Sequence, residues 1–496
     1  MTHNQNIYHQ YQSHLQKIAD VKYSAAVLQW DQETYLPAKG AEFRARQLAT
    51  LTELAHEMFV NEKTGNILRK ALSSDLDADQ KRNVELSLED YTRLKKLTPE
   101  FVRTMSETVS ASFYAWIEAR KQNDFRLFSP NLSPLVELKK QEAELLGYEG
   151  HPYNALMDEF EKGATTTMID KVFEDVKTPL LALLDEVKNL PDADDAFLNQ
   201  HFAKQQQWEW GMFIAKQLGF DFEAGRQDIS EHPFTTNFNN SDVRITTRID
   251  ENDFANMLWS TIHEVGHGLY EQGLPAAQYG LPLGEYASLS IHESQSRLWE
   301  NCVGRGNAFW QYYFPKLQSF FPVQFSNVSQ QQFLKAINKV QPSLIRTEAD
   351  ELTYHFHVMI RYGLEKKLIE GSIKTEEIPA YWNESYQKYL GVKVPDDKHG
   401  CLQDVHWSHG SFGYFPTYSL GSFYAAQFWE QANKEMPGLQ STISETGNTS
   451  SLLEWLRAKV HAHGRFYNSN ELCKSITGKP LDSKVFVNYL RQKLLG

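Results

Sequence analysis

His263-Glu264-Val265-Gly266-His267 sets two imidazoles four residues apart with a carboxylate between them. On an α-helix, residues at that spacing lie on one face about 6 Å apart, so both rings can reach one ion with bonds of about 2.0–2.1 Å. Glu264 points elsewhere, free to hydrogen-bond a metal-bound water and act as general base. HExxH is therefore a zinc-hydrolase signature. A tetrahedral catalytic zinc needs a third protein ligand and leaves its fourth position to water.

The elements that must position these groups can be read on either side of the motif. Asp250-Glu251-Asn252-Asp253 offers N-cap residues, and Phe254, Met257, Leu258 and Ile262 follow at helical spacing, so the motif lies on a helix. Gly266 and Gly268 each cost about 1 kcal/mol relative to alanine inside a helix, which suggests that another backbone or a substrate comes close there. Downstream, Ser288 to Trp299 reads as a second helix, with Ser290 and Glu293 in the capping-box relation. It can pack on the first and present Glu293 as the third ligand, with His292 and Glu285 as alternatives. Asp242 to Arg248 alternates β-branched and polar residues, as a small strand or hairpin packed on the catalytic helix would. Its edge could pair with an extended peptide.

These residues, together with five further blocks, resemble the carboxypeptidase Taq family of zinc metallocarboxypeptidases. The blocks are His232-Pro233-Phe234, Asp242-Val243-Arg244-Ile245-Thr246, His292-Glu293-Ser294-Gln295, Ile345-Arg346-Thr347-Glu348-Ala349-Asp350 and Gly400 to Trp407, with Leu28-Gln29-Trp30-Asp31-Gln32-Glu33 also similar. Two departures stand out: Thr235 to Ser241 lacks the glycine often found there, and Gln227 replaces an expected apolar residue. The resemblance implies a mostly helical, two-lobed fold with a deep narrow groove and a zinc ion at its floor. It also implies a homodimer and removal of single C-terminal residues with broad specificity. The alternative within the same helical class is an oligopeptidase that cuts internal bonds or releases dipeptides. Cobalt could replace zinc, since geometry and supply decide metal identity as much as affinity does.

Further residues are then expected to complete the site. The oxyanion needs donors beyond the metal, and His406, Tyr414 and Tyr418 are candidates in a segment where glycines and aromatics mix; the resemblance ranks His406 and Tyr418 first. A substrate carboxylate needs a cationic anchor, and the planar fork of Arg346 suits it, with Arg244 and Arg248 competing. Against that, each arginine could pair with a nearby acid such as Asp350 or Asp242. His232 is a candidate to contact substrate or line the cleft. Asp350, Asp404 or Glu300 can orient a ligand imidazole through its second nitrogen.

The remaining features bound the class. Across 496 residues the formal charge is −13, with no Lys/Arg cluster, which argues against nucleic acid. Cys302, Cys401 and Cys473 are odd in number and scattered, as reduced cytoplasmic thiols are. Cys401 reads as a small buried residue and not as a ligand. Met1 to Asp20 has no apolar signal core, and no run is long enough to span a bilayer. The whole chain reads as one two-lobed peptidase domain with its motifs in residues 220–425. Leu190 to Asp195 and the polar run Gln440 to Ser451 read as surface loops. Helices are expected to open at Thr98-Pro99, at Ser133-Pro134 and at Thr167, the last bent at Pro179.

Overall fold

The computed structural model describes residues 3–496, so Met1 and Thr2 of the segment read above for a signal lie outside the described residues. The chain is predominantly α-helical, 70% helix with one small three-stranded sheet. Among the described residues no helix is long and apolar enough to cross a membrane. Two compact units are woven from alternating segments: Met1–Lys95, Ala193–Ile337 and Tyr424–Pro480 make the first, and Lys96–Asp192, Asn338–Phe423 and Leu481–Gly496 the second. Leu190 to Asp195 is thus a passage between units as well as a loop. The polar run from Gln440 is no loop: it forms helix Leu439–Thr446, anchored by buried Leu439 and Ile443 and ended by Gly447 in the left-handed region. Two apolar residues four apart suffice to dock it, too weak a stripe to stand out among polar neighbours.

In the first unit the HExxH motif lies on helix Phe254–Gly273, capped by the Asp253 side chain, which accepts from Asn256 N. Phe254, Met257, Leu258, Ile262, Val265 and Leu269 are buried along it. Both glycines mark close approaches. A Cβ on Gly266 would lie 2.6 Å from Ser296 Cα and 2.9 Å from Gln295 O, both backbone. One on Gly268 would meet the Phe220 ring at 2.7 Å and Ile245 Cγ2 at 3.1 Å. The backbone at Gly266 belongs to helix Leu289–Arg297, whose cap is Ser288, accepting from Ile291 N. The expected Ser290–Glu293 box is therefore wrong by two positions. Ser290 faces buried Ser288 and Ser469 instead, leaving Glu293 free for other work. The helix runs on into a π-helical turn, Leu298–Gly304, buried throughout.

The expected strand or hairpin is present, and a third strand joins it. Strands β1 (Gly225–Ile229), β2 (Thr235–Asn239) and β3 (Asp242–Thr247) are ordered β1-β3-β2, with β1 parallel and β2 antiparallel to β3. The strand read from sequence is the central one, so it has no free edge to offer a peptide. Strand β1 was illegible because Gly225-Arg226-Gln227-Asp228 carries no β-branched residue. A Cβ on Gly225 would lie 2.4 Å from Val243 O, so this strand is specified by a close backbone approach instead of by side-chain pattern. Gln227, where an apolar residue was expected, is buried.

In the second unit, helix Pro99–Gln122 starts where expected, with Thr98 as cap. The next begins at Ser129, before the expected Ser133, because Pro130 already sits in its first turn and Pro134 falls inside. Helix Thr166–Val187 is capped by Thr165, two residues before the expected Thr167, and runs through Pro179. Helix Tyr354–Glu370 buries residues on every face, including His355, His357, Arg361 and Glu365. Such a helix shows no apolar stripe in sequence.

The two glycines of the HExxH helix make a graded prediction. Gly266→Ala opposes backbone on backbone and should lower stability by about 1–3 kcal/mol, whereas Gly268→Ala presses only on side chains that can turn and should cost less. Urea melts of both variants give the order, and equal midpoints would show that the two helices part freely.

Candidate metal centre

The His263 and His267 rings are 4.8 Å apart, centroid to centroid, and nearly perpendicular. Glu293 Oε2 lies 3.7 Å from His263 Nε2 and 3.6 Å from His267 Nε2. One ligand atom from each of the three lies within 4.8 Å of the others. These separations exceed a hydrogen bond, so the donors face a common point and not one another. Ligands about 2.1 Å from a tetrahedral ion stand roughly 3.4 Å apart. Two imidazole nitrogens and a carboxylate oxygen at nearly that spacing fit a divalent cation.

The groups behind the donors fix which atoms face inward. Glu300, on the π-helical turn, bonds His263 Nδ1 at 2.8 Å, which leaves Nε2 for the centre. Arg297 Nε donates to Glu293 Oε1 at 2.7 Å and so leaves Oε2 to face the histidines. Arg297 also donates to Glu300, as does Arg305. Burial would raise the Glu300 pKa, but Arg297, His263 and Arg305 hold it well below the usual carboxylate range. Burial, with neighbouring His292 and His263, pushes the His267 pKa well down and keeps that ring neutral, as a ligand must be. For His263 burial opposes the charge, yet Glu293 and Glu300 outweigh it and raise the pKa.

Glu264 is buried beside these donors without joining them. Thr235, at the start of β2, donates its hydroxyl to Glu264 Oε2 at 2.6 Å. Burial pushes the Glu264 pKa up, with His263 and Thr235 pulling against it. Of the alternative third ligands, His292 turns its Nε2 to Glu271 at 2.7 Å while its ring stacks on His267 at 4.4 Å. Glu285 is taken by Arg465 at 2.9 Å. Sequence reasoning missed Thr235, Arg297 and Glu271. Arg297 could have been found, since it stands four residues after Glu293 on the same helix; the other two meet their partners across the fold.

The remaining expected residues are held by internal pairs. In the first unit, Arg244 donates through Nε and Nη2 to Asp242, both at 3.0 Å, with its guanidinium 4.2 Å from the Trp30 ring. Arg248 and His232 are exposed. In the second unit, Arg346 is buried and gives Nε and Nη2 to Asp404 at 3.0 and 2.8 Å and Nη1 to Tyr354. Its acid is thus Asp404, not Asp350, which accepts from Leu352 N and Thr353 N within its own turn. Arg361 donates to the other Asp404 oxygen at 2.6 Å. Asp404 and Asp350 are therefore engaged away from any ligand imidazole, and Glu300 alone of the three named acids takes that part. His406 Nε2 and the Tyr418 hydroxyl are 3.0 Å apart, and Tyr414 packs its ring 5.1 Å from that of Tyr418. Burial, then Arg346, lowers the His406 pKa to about 3, so the ring is neutral.

The model of the carboxypeptidase Taq (M32) metallopeptidases matches residues 10–494. The chain belongs to that family. It is 39% identical to Carboxypeptidase 1 of Bacillus subtilis (strain 168) over 488 residues, covering 97% of this chain and 96% of that one. The M32 carboxypeptidase structure from Deinococcus radiodurans R1 superposes with a TM-score of 0.96 at 40% identity, covering 99% of each chain. A solved structure named "The Structure of CHT" gives 0.97 at 57% identity, again over 99% of each. This M32 protein is accordingly a metallocarboxypeptidase, and its family implies a divalent metal ion.

For this carboxypeptidase the Glu300 contact predicts a measurable dependence. Glu300→Gln loses the charge that fixes the His263 tautomer and should weaken metal binding by about 10- to 100-fold. Chelator competition on the purified variant reads this directly, and wild-type affinity would dismiss the contact as incidental.

Proposed function

We propose that the chain removes single C-terminal residues from peptides with broad specificity, with one zinc ion held by His263, His267 and Glu293. The convergence of those three donor atoms beside a buried glutamate that is not one of them carries this reading. Two nitrogens and one oxygen suit zinc, and cobalt would be accepted by the same set. When bound, such a cation polarises the scissile carbonyl and lowers the pKa of water toward about 7.

The chain's own residues divide the rest. Glu264 has Oε2 occupied by Thr235, so Oε1 takes the proton of the attacking water and hands it to the leaving amine. Its raised pKa strengthens it as a base at neutral pH. His406 and Tyr418 act on the oxyanion as a hydrogen-bonded relay, the neutral imidazole donating through Nε2 to the phenol oxygen and the phenol donating its own O–H to the oxyanion. For the terminal carboxylate, Arg244 is closed by Asp242, whereas Arg346 and Arg361 share the single carboxylate of Asp404. That trio keeps one surplus positive charge, so Arg346 is retained as anchor, with His232, Arg244 and Tyr414 lining the substrate. Three buried cysteine residues suit a reducing cytoplasm; the homodimer rests on resemblance alone.

Mass spectrometry of an unblocked peptide should show successive loss of single C-terminal residues, abolished by chelation and restored by zinc; internal fragments or dipeptides would reject the proposal. Glu264→Gln should keep its metal and lose roughly 10²–10⁴-fold in kcat. A C-terminally amidated peptide should be cleaved far more slowly than the free acid, and Arg346→Ala should erase that preference.

A further inference from the structure

One buried carboxylate has no part in the chemistry above. Glu365 is fully buried on helix Tyr354–Glu370 and accepts three hydrogen bonds. Trp407 Nε1 donates to Oε1 at 2.8 Å, while the Tyr153 hydroxyl and the Gly413 amide donate to Oε2 at 2.5 and 2.9 Å. Trp407 immediately follows His406, and Gly413 immediately precedes Tyr414. We propose that Glu365 is a positioning residue that staples the segment carrying His406 and Tyr414 at both of its ends. Its catalytic consequence rests on the reading of His406 and Tyr418 as an oxyanion relay.

Three features make the staple specific to a carboxylate. All its partners are donors, and two of them, an indole N–H and a backbone N–H, cannot reverse. A glutamine has one acceptor oxygen and must leave one of these buried N–H groups facing its own NH₂. Charge also matters, since hydrogen bonds to an ionised acceptor are about twice as strong as neutral ones. Third, the segment is built to reach the carboxylate. Gly413 has φ +100°, and a Cβ there would lie 2.7 Å from Leu156 C and 2.8 Å from Met157 N. Only glycine lets the loop lie against helix Tyr153–Met157, the element that also brings Tyr153. Between the two pins the segment closes on itself, with Gly410 N donating to Trp407 O and Ser411 N to His406 O. Trp407 is held edge-on against Trp382 at 5.9 Å.

The charge on Glu365 is poised. Burial pushes its pKa up to about 7, against the pull of Gly413, Tyr153, Trp407 and Lys139. Lys139 is itself paired with Glu142, and Tyr362 stands behind Tyr153 at 5.8 Å. Because the folded pKa is raised, the carboxylate is ionised above about pH 7 and protonated below it. Burial raises this pKa while each of the three donors lowers it, so withdrawal of the donors with Glu365 still enclosed raises it further; protonation then favours the released segment, and the staple should be firm at pH 8 and loosen as pH falls through 7.

The test is hydrogen exchange of the metal-loaded full-length enzyme, read on peptides spanning residues 405–415 and corrected for intrinsic rates, beside steady-state kinetics. Wild type should lose protection there as pH falls from 8 to 6. Glu365→Gln should be about ten-fold less protected at pH 8, with no pH dependence and unchanged metal content. Its kcat should fall roughly 10- to 100-fold, as for an angstrom-scale misplacement, with KM within about three-fold. Tyr153→Phe keeps the other two donors and should move the pH midpoint upward, since one group favouring the carboxylate is gone. Wild-type protection in Glu365→Gln, or an unmoved midpoint in Tyr153→Phe should the first variant not fold, overturns the staple. A loosened segment with wild-type kcat upholds the staple and rejects the assignment of His406 and Tyr418.

Discussion

The third donor of the metal centre depends on a contact that contains no side chain. At Gly266 the HExxH helix lies against the backbone of Gln295 and Ser296, at distances that no Cβ would tolerate. Glu293, less than one turn before Ser296, can then bring Oε2 to within 3.7 Å of two rings on the facing helix. The carboxylate reaches only a few ångströms beyond its own backbone, so helix separation and ligand geometry are one quantity. Small residues recur along this contact, with Ser296 buried at it and Gly304 where an added Cβ would lie 3.2 Å from Ile262 Cδ1. The glycine that weakens the helix in isolation is what allows the pair to bring the three candidate donors together.

Charge is then organised outward from that contact. Buried carboxylates are tolerable only when their remaining lone pairs are met, and Arg297 meets both Glu293 and Glu300 from one position. The π-helical turn serves this purpose. A wider turn after Arg297 returns Glu300 towards His263, while Arg305 closes its other oxygen. π-Helical turns recur at functional sites because they re-aim side chains that regular spacing would misdirect. The second unit solves a similar problem with the signs reversed, two arginines on the single Asp404.

What the sequence disclosed follows from these distances. His263, Glu264 and His267 were legible because their relation is local, one turn of one helix. Glu293 was legible as a candidate, while the cap was placed at Ser290, which offers the same sequence spacing that Ser288 uses with Ile291 N; only the cap geometry separates the two. Strand β1 escaped because a parallel partner elsewhere in the chain defines it, and only its last residue, Ile229, has strand propensity of its own. Helix Tyr354–Glu370 hid its buried polar residues for a different reason: a helix enclosed on all sides has no periodic face. For Arg346 an internal pair was foreseen but its partner was not: the sequence offered Asp350 nearby, and the fold supplied Asp404 from far along the chain.

Glu264 and Glu365 make clear why burial alone does not define a base. Both are buried and both have raised pKa values. Glu365 has both oxygens committed, three donors converging from two directions, so a proton moving on or off it changes bonds that hold the chain. On Glu264 the side-chain hydrogen bond from Thr235 goes to Oε2. In the proposed mechanism its Oε1 is the oxygen left to the attacking water. Proton transfer needs that vacancy as much as it needs the pKa. The distribution of donors around the two carboxylates, more than their shared desolvation, is what supports proposing transfer for one and support for the other.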